Sequence, residues 1–352
     1  MINLHLRQPD YYILFGVLFL IVLSSVILNS VSPSIYPLYL LFIFIGLVGF
    51  VIFLQIDFDI LTVFSNHLYI ISIFLLILPL IIGQVTRGAI RWIPIGPLTI
   101  QPSEIVRPFL LLFFANYLTK KELDLKRAFY LVLLILIPIV LILIQPSLGV
   151  AVLTFLGICG VLLASPLSKK YIFVGLTFII FLVPITWLVL APYQKERIEA
   201  FINPYTDPRG AGYNSIQSMI SVGSGRFIGR GLGEGVQTQL AFLPEKHTDF
   251  IFAAAAEELG FVGAIFLLLG LFIIFYRLIK VIENPVNPTA RAFVSGLFLV
   301  LFLEAVIHIG MNMGLLPITG VPLPLVSAGG SSYLATMVGL AISINARKKV
   351  GT

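Results

Sequence analysis

The segment Phe242-Leu-Pro-Glu-Lys-His-Thr-Asp-Phe-Ile-Phe252 places the carboxylate of Asp249 at the border between a long polar stretch and an apolar one. Only 11% of the 352 residues are charged, and an ionisable group at the edge of a membrane segment is a candidate for chemistry. Two roles are open to it. With Thr248 it could cap the helix that follows, where free N–H groups and the helix dipole favour an anion. It could also serve as a general base on the outer surface, accepting a proton from a substrate hydroxyl.

A second cluster is Gly88-Ala-Ile-Arg-Trp92, followed by Gln101-Pro-Ser-Glu-Ile-Val-Arg107. Ser103 reads as a helix cap, and Glu104 and Arg107, three residues apart, share a helical face and could pair. Arg107 then lies about one turn inside an apolar run. It either snorkels to water beside Trp92, or forms with Arg91 a pocket for an anionic head group. Ser224-Gly-Arg-Phe-Ile-Gly-Arg-Gly-Leu-Gly-Glu-Gly235 reads as a flexible turn or, through its glycine N–H groups with Arg226 and Arg230, as a weak phosphate cradle. Gly320 to Ser332 is dense in Pro and Gly, which suits irregular backbone buried in protein. His67, His247 and His308 have no metal-ligand spacing.

The elements that must position these groups are membrane helices. Mean hydropathy is +1.06 and 59% of residues are hydrophobic, which excludes an ordinary soluble domain. Apolar runs of about 18 residues or more recur, each long enough for a bilayer core of about 30 Å. Ten spans are expected, near 12–29, 36–54, 65–83, 103–118, 128–145, 148–164, 171–190, 249–275, 292–313 and 331–346. The fold class is all-α and polytopic, one transmembrane domain over residues 1–352, and Pro138, Pro184 and Pro317 kink or end helices. No cleavable signal peptide is expected, because a second span closely follows a long first one. Cys159 is alone, so no intrachain disulfide is possible.

Basic residues set the orientation. With the N-terminus inside, thirteen fall in inner segments (Arg7, Lys120, Lys121, Lys126, Arg127, Lys169, Lys170, Arg277, Lys280, Arg291, Arg347, Lys348, Lys349) against two, Arg87 and Arg91, in short outer loops. Both termini are therefore cytoplasmic, and the net charge of +6 is a topology signal rather than a nucleic-acid one. The stretch from 192 to 248 becomes a long extracytoplasmic loop, too long for a mere connector. Within it, Asn214 to Val222 reads as a helix at the outer interface, with Ile216, Met219 and Ile220 on one face and Gln217, Ser218 and Ser221 on the other.

In order along the chain, Gly88 to Trp92, Gln101 to Glu104, Asn203 to Tyr213, Gln217-Ser218, Val222 to Gly225, Phe242 to Phe252, Glu257 to Gly260 and Gly314 to Ser332 resemble the SEDS family of membrane glycosyltransferases. The Gln237 to Glu245 wording is closer to its elongation member RodA than to its division member FtsW. The resemblance implies ten spans, the bacterial cytoplasmic membrane, and polymerisation of lipid II into β-1,4 glycan strands with release of undecaprenyl pyrophosphate. It puts the essential aspartate on Asp249 and the charged helix pair on Glu104 and Arg107. Arg91, Trp92, Arg209, Arg226, Glu245, His247, Thr248 and Ser331 are the further substrate contacts it suggests. It also implies a class B penicillin-binding protein as partner, with spans eight and nine and the Gly320 to Ser332 loop as the contact surface. A divalent cation could assist the pyrophosphate, though no ligand cluster demands one.

The chain departs from the family at Arg107, where lysine is usual, and at Ser147 in Gln145-Pro-Ser-Leu-Gly149, where an aspartate is usual. Ser147 could replace that aspartate as a helix cap. The rival readings are a lipid II flippase and a non-catalytic scaffold for the partner. A flippase predicts working polar groups near mid-membrane and internal inverted repeats. Here the polar groups gather at the outer edge and no repeat is found.

Overall fold

The computed structural model describes residues 10–86, 89–96, 98–166 and 192–347. The seventh expected span, with Pro184, Lys169 and Lys170, lies outside them, as do Arg7, Arg87, Gly88, Lys348 and Lys349. The other nine spans coincide with helices: α1 (Tyr11–Val31), α2 (Tyr36–Gln55), α4 (Ser65–Ile82, after the short α3, Phe58–Val63), α6 (Arg107–Lys120, after α5, Pro102–Ile105), α7 (Leu125–Ile144), α8 (Leu148–Ala164), α12 (Ile251–Glu283), α13 (Pro288–Asn312) and α14 (Gly330–Asn345). Among the described residues, α1, α2, α4, α7, α12 and α13 are long and apolar enough to cross a membrane.

Three of the long helices start where the sequence supplies an acceptor. Asp10, Asp124 and Asn287 each take an N–H of the first turn of α1, α7 and α13. The fourth span is split at Val106, where Pro108 follows Arg107. Contact between α8 and α13 depends on missing side chains: a Cβ on Gly296 would stand 2.8 Å from the Gly157 carbonyl oxygen. Small residues let membrane helices approach this closely. At the end of the bundle where α1 begins, buried Asp10 accepts from Arg277 Nε at 3.1 Å and Nη2 at 2.5 Å and from Arg347 at 3.2 Å, tying α1, α12 and the C-terminal segment together.

One element adds to the helical expectation. Residues that read as an outer loop form a three-stranded antiparallel sheet, β1 (Gln84–Thr86), β2 (Ala89–Ile95) and β3 (Leu98–Ile100). Its last strand feeds directly into α5, so the sheet orients the helix that carries Glu104.

The long outer loop is structured: α9 (Pro192–Ile202), a 3-10 turn at Pro204–Thr206, α10 (Tyr213–Ser224) and α11 (Val236–Gln239). The face of α10 differs from expectation. Ser215, Ser218 and Ser221 are buried, while Ile216 and Met219 are half-buried and Ile220 is exposed. Packing of the small serine face against α12 and α13 outweighs the apolar stripe, and Ser218 Oγ donates to the Asn312 carbonyl at 2.9 Å.

The glycine-rich run is likewise neither a flexible turn nor a phosphate cradle. Helix α12 breaks at Gly260 (φ 66°, ψ −160°), and the run fills the break. Arg230 N and Gly231 N donate to Glu257 O and Glu258 O, while Phe261 N and Val262 N donate to Arg226 O and Phe227 O. The Glu257 carboxylate receives the N–H groups of Gln237 (2.8 Å) and Thr238 (3.0 Å) in α11, and Glu258 accepts from Ser30 Oγ (2.5 Å) and Gln239 Nε2 (2.9 Å). A Cβ at position 260 would stand 2.2 Å from Gly229 N, in a backbone region essentially reserved for glycine and costing about 1–3 kcal/mol otherwise. Gly260→Ala is therefore expected to lower the thermal unfolding midpoint by several degrees, whereas Gly223→Ala, where a Cβ meets nothing within 4 Å, leaves it unchanged or slightly higher.

Candidate functional site

Asp249 lies in the turn before α12, half-buried, and neither it nor Thr248 is the cap. The N-cap position is Phe250, without a side-chain bond. The helix start is served from across the bundle: the Asn312 side chain accepts from Ala253 N at 2.9 Å and donates to the Asp249 carbonyl at 3.0 Å and the His308 carbonyl at 2.7 Å. The Asp249 backbone is thus seated from across the bundle.

A second loop completes the seat. Ala328 N donates to His247 O (2.9 Å), Ser327 Oγ donates to Thr248 O (2.8 Å), and Leu323 N donates to Ser327 Oγ (2.8 Å). Gly320, at φ +70°, brings its backbone beside Asp249; a Cβ there would lie 3.4 Å from Oδ2. His308 Nδ1 is 2.8 Å from the Val321 carbonyl, which can only accept, so this nitrogen carries the proton. The Gly320 to Ser332 segment is therefore the irregular buried backbone expected of it, held against the Asp249 turn. Within that turn Glu245, at φ 49°, accepts from Thr248 Oγ1 at 3.1 Å and lies 3.8 Å from His247 Nε2. Lys246 donates to the Thr238 carbonyl. Burial lowers its ammonium below the usual lysine range, and Glu258 and Glu257 oppose that shift.

Beneath this surface lies a buried charged cluster. Arg107 pairs with Glu304 of α13, not with Glu104 as the helical spacing suggested. The α5–α6 break explains this: Glu104 and Arg107 fall on different segments and no longer follow one helical repeat. Glu104 is buried and within electrostatic reach of Arg107 first, then of Glu304 and Arg91, and least of Asp249. Arg107 is buried and does not snorkel.

Arg91 and Trp92 sit half-buried on β2, the guanidinium 5.9 Å from the indole centre. Ser331 is buried and its hydroxyl accepts from Gln101 N at 2.7 Å. Ser147 stands at the N-cap position of α8 without making a cap bond, and instead accepts from Gln101 Nε2 at 3.3 Å. Arg209 and Arg226 are exposed. Among the described residues no group of three or more His, Cys, Asp or Glu is placed to hold a metal ion.

Glu304 and Asn312 carry much of this site and were not singled out in the sequence. For Glu304 a signal existed: it is the one carboxylate in the apolar run of α13. Asn312 gave none, since its partners are 59 and 63 residues away. Asn312→Leu would leave the buried Ala253 N–H unpaired, at about 1–3 kcal/mol, and release the Asp249 backbone. We expect a lower unfolding midpoint, together with a rate loss of up to about 10²-fold from misplacement of the carboxylate, both read on the same purified protein.

A family model described as "Cell cycle protein", for the FtsW, RodA and SpoVE proteins, matches residues 4–351. The chain belongs to this family. This FtsW/RodA/SpoVE protein is 39% identical over 310 residues to the peptidoglycan glycosyltransferase MrdB of Escherichia coli, covering 87% of this chain and 84% of that one. Its fold matches a chain of a peptidoglycan synthase complex that coordinates polymerisation and crosslinking, with a TM-score of 0.83 and 31% identity over 96% of this chain and 97% of that one. It also matches the rod-shape-determining protein RodA of Thermus thermophilus, with a TM-score of 0.72 and 27% identity over 96% of each.

Proposed function

We propose that this chain is a peptidoglycan glycosyltransferase of cell elongation and shape, polymerising lipid II at the outer face of the bacterial cytoplasmic membrane. The observation that carries the reading is Asp249: a half-buried carboxylate at the head of α12, seated by its backbone and coupled to the buried Arg107–Glu304–Glu104 cluster. In the proposed step the Asp249 carboxylate takes the proton of the acceptor GlcNAc 4-hydroxyl. The freed oxygen forms a bond to the anomeric carbon of the lipid-linked donor strand, inverting it. The anomeric C–O bond to pyrophosphate breaks, and undecaprenyl pyrophosphate leaves with that electron pair. The leaving group's charge is met by Arg91, beside Trp92 on β2, with the exposed Arg209 and Arg226 available to a moving substrate. Arg107, with Glu304 and Glu104, sets the field at Asp249.

Both termini lie in the cytoplasm in this reading. A class B penicillin-binding protein is the proposed crosslinking partner, in keeping with the fold match to a chain of a peptidoglycan synthase complex. An apolar cavity of about 610 Å³ between α12 and α13, lined by Leu271, Phe275, Phe302, Ala305, Ile309 and Leu316, suits the partner's single membrane helix.

The test is polymerisation of labelled lipid II by the purified chain with its partner, comparing wild type with Asp249→Asn and Asp249→Ala. Long glycan products from wild type and none from folded variants are expected. Equal products from all three would remove Asp249 as the base, and none from any would favour a scaffold or a lipid flippase.

A further inference from the structure

The turn that fills the α12 break carries two large apolar side chains left exposed by the described residues. Phe227 is 65% and Ile228 78% exposed, and both are flanked by exposed arginines, Arg226 and Arg230. In water such a pair would be costly. Its level relative to the bilayer can be read from two rulers. Helix α1, 21 residues long, spans about 31 Å, and its penultimate residue, Ser30, hydrogen-bonds Glu258. Below the break, Phe261–Glu283 is long enough, at about 34 Å, to cross a core of about 30 Å. Both place residues 258–261 at the outer edge of the apolar slab. The Phe227 ring packs on Phe261, centroids 5.9 Å apart, and Phe261 belongs to a face exposing Ile265, Phe266 and Leu269, which α12 offers to lipid beside the groove lined by Leu268 and Phe272.

Irregular backbone is excluded from lipid unless its polar groups are satisfied within the protein. This turn meets that condition where it faces α12. The carbonyls of Arg226 and Phe227 and the N–H groups of Arg230 and the following Gly231 are paired with α12 across the break, and Gly229 N donates to Gly225 O at 2.8 Å. The glycines permit the approach: a Cβ on Gly225 would stand 1.8 Å from Ala256 O, and one on Gly229 2.1 Å from Glu258 O.

We propose that the Arg226–Arg230 turn is a membrane anchor of the outer loop, with Phe227 and Ile228 seated among the outer-leaflet acyl chains and Arg226 and Arg230 on phospholipid phosphates. Apolar bodies below a charged rim are the pattern of interfacial segments. The anchor rests on the orientation set by the basic loops and is independent of the glycosyl-transfer reading. It holds the C-terminal end of α10, whose serine face packs on α12 and α13, to the membrane surface.

The experiment uses the full chain in phosphatidylcholine–phosphatidylglycerol liposomes without partner. A nitroxide is placed on Ile228→Cys in a Cys159→Ala background, with Phe261→Cys as the lipid-facing reference and Glu199→Cys, on exposed α9, as the aqueous one. We expect the ratio of oxygen to water-soluble nickel-chelate collisions at Ile228 to exceed that at Glu199 several-fold and to approach that at Phe261. A ratio equal to that at Glu199 overturns the anchor. Shielding that develops only when a partner protein is added overturns it too, in favour of a protein contact. Should the label perturb folding, Ile228→Trp read against the parent protein gives the same answer: quenching by lipids brominated high on the acyl chain supports the anchor, and quenching only by aqueous acrylamide refutes it.

Discussion

Glu304→Gln is expected to destabilise the protein by about 3–5 kcal/mol, because it leaves the Arg107 guanidinium buried beside a neutral amide. Arg107 is buried between α6, α13 and α14 and has Glu304 as its ion-pair partner. Glu104 is too differently placed to substitute, since it acts on Arg107 without forming that pair. Thermal unfolding in detergent reads the loss. The informative companion is the double variant Arg107→Met with Glu304→Leu. Apolar replacement of a whole buried pair is often neutral or stabilising, so the double variant should unfold close to wild type. Polymerisation should nevertheless stay absent, because Glu104 would then lie buried with its nearest cation gone and the field at Asp249 reversed in balance. Full activity in a stable double variant would reduce the pair to packing and refute its part in the site.

The second large effect is on rate alone. Asp249→Asn keeps the volume and shape of the side chain but cannot accept the hydroxyl proton, and a positioned general base is worth about 10²–10⁴-fold. The variant should fold normally, since the amide keeps the shape of the side chain and the backbone contacts of position 249 to Asn312, and of Thr248 and His247 to the second loop, are retained. The expected result is an unchanged unfolding midpoint with glycan product reduced to background. A midpoint that falls along with activity would mean the carboxylate is structural.

How far the chain could be read before its fold was seen depended on the range of each interaction. Spans such as Tyr36–Gln55 and Ser65–Ile82 follow from composition over a window, because lipid forces the backbone to satisfy itself locally. Asp249 was readable for a related reason: a carboxylate at the border of an apolar run is conspicuous in one dimension. The pairing of Arg107 was not. Helical spacing pointed to Glu104, three residues away, but the break at Val106 and a helix 197 residues on decided otherwise. The α10 face was misread because an apolar stripe says where water is avoided, not which side can approach another helix most closely. Ser215, Ser218 and Ser221 won on size. The glycines of 225–233 signalled a special backbone, but only the matching break in α12 reveals what approaches it. The sheet at 84–100 was hidden by short strands that carry too little pattern to read.

Helix α13 presents Glu304, His308 and Asn312 at successive four-residue steps, all buried. The first holds Arg107, the second the Val321 carbonyl, and the third the backbone of Asp249. Its opposite flank lines the apolar groove beside α12. A helix is nearly rigid over two turns, so it behaves as a lever with three fixed couplings on one side and an open bearing on the other. Anything lodged in that bearing that tilts or slides the rod must displace Asp249, the loop behind it and the buried Arg107 together.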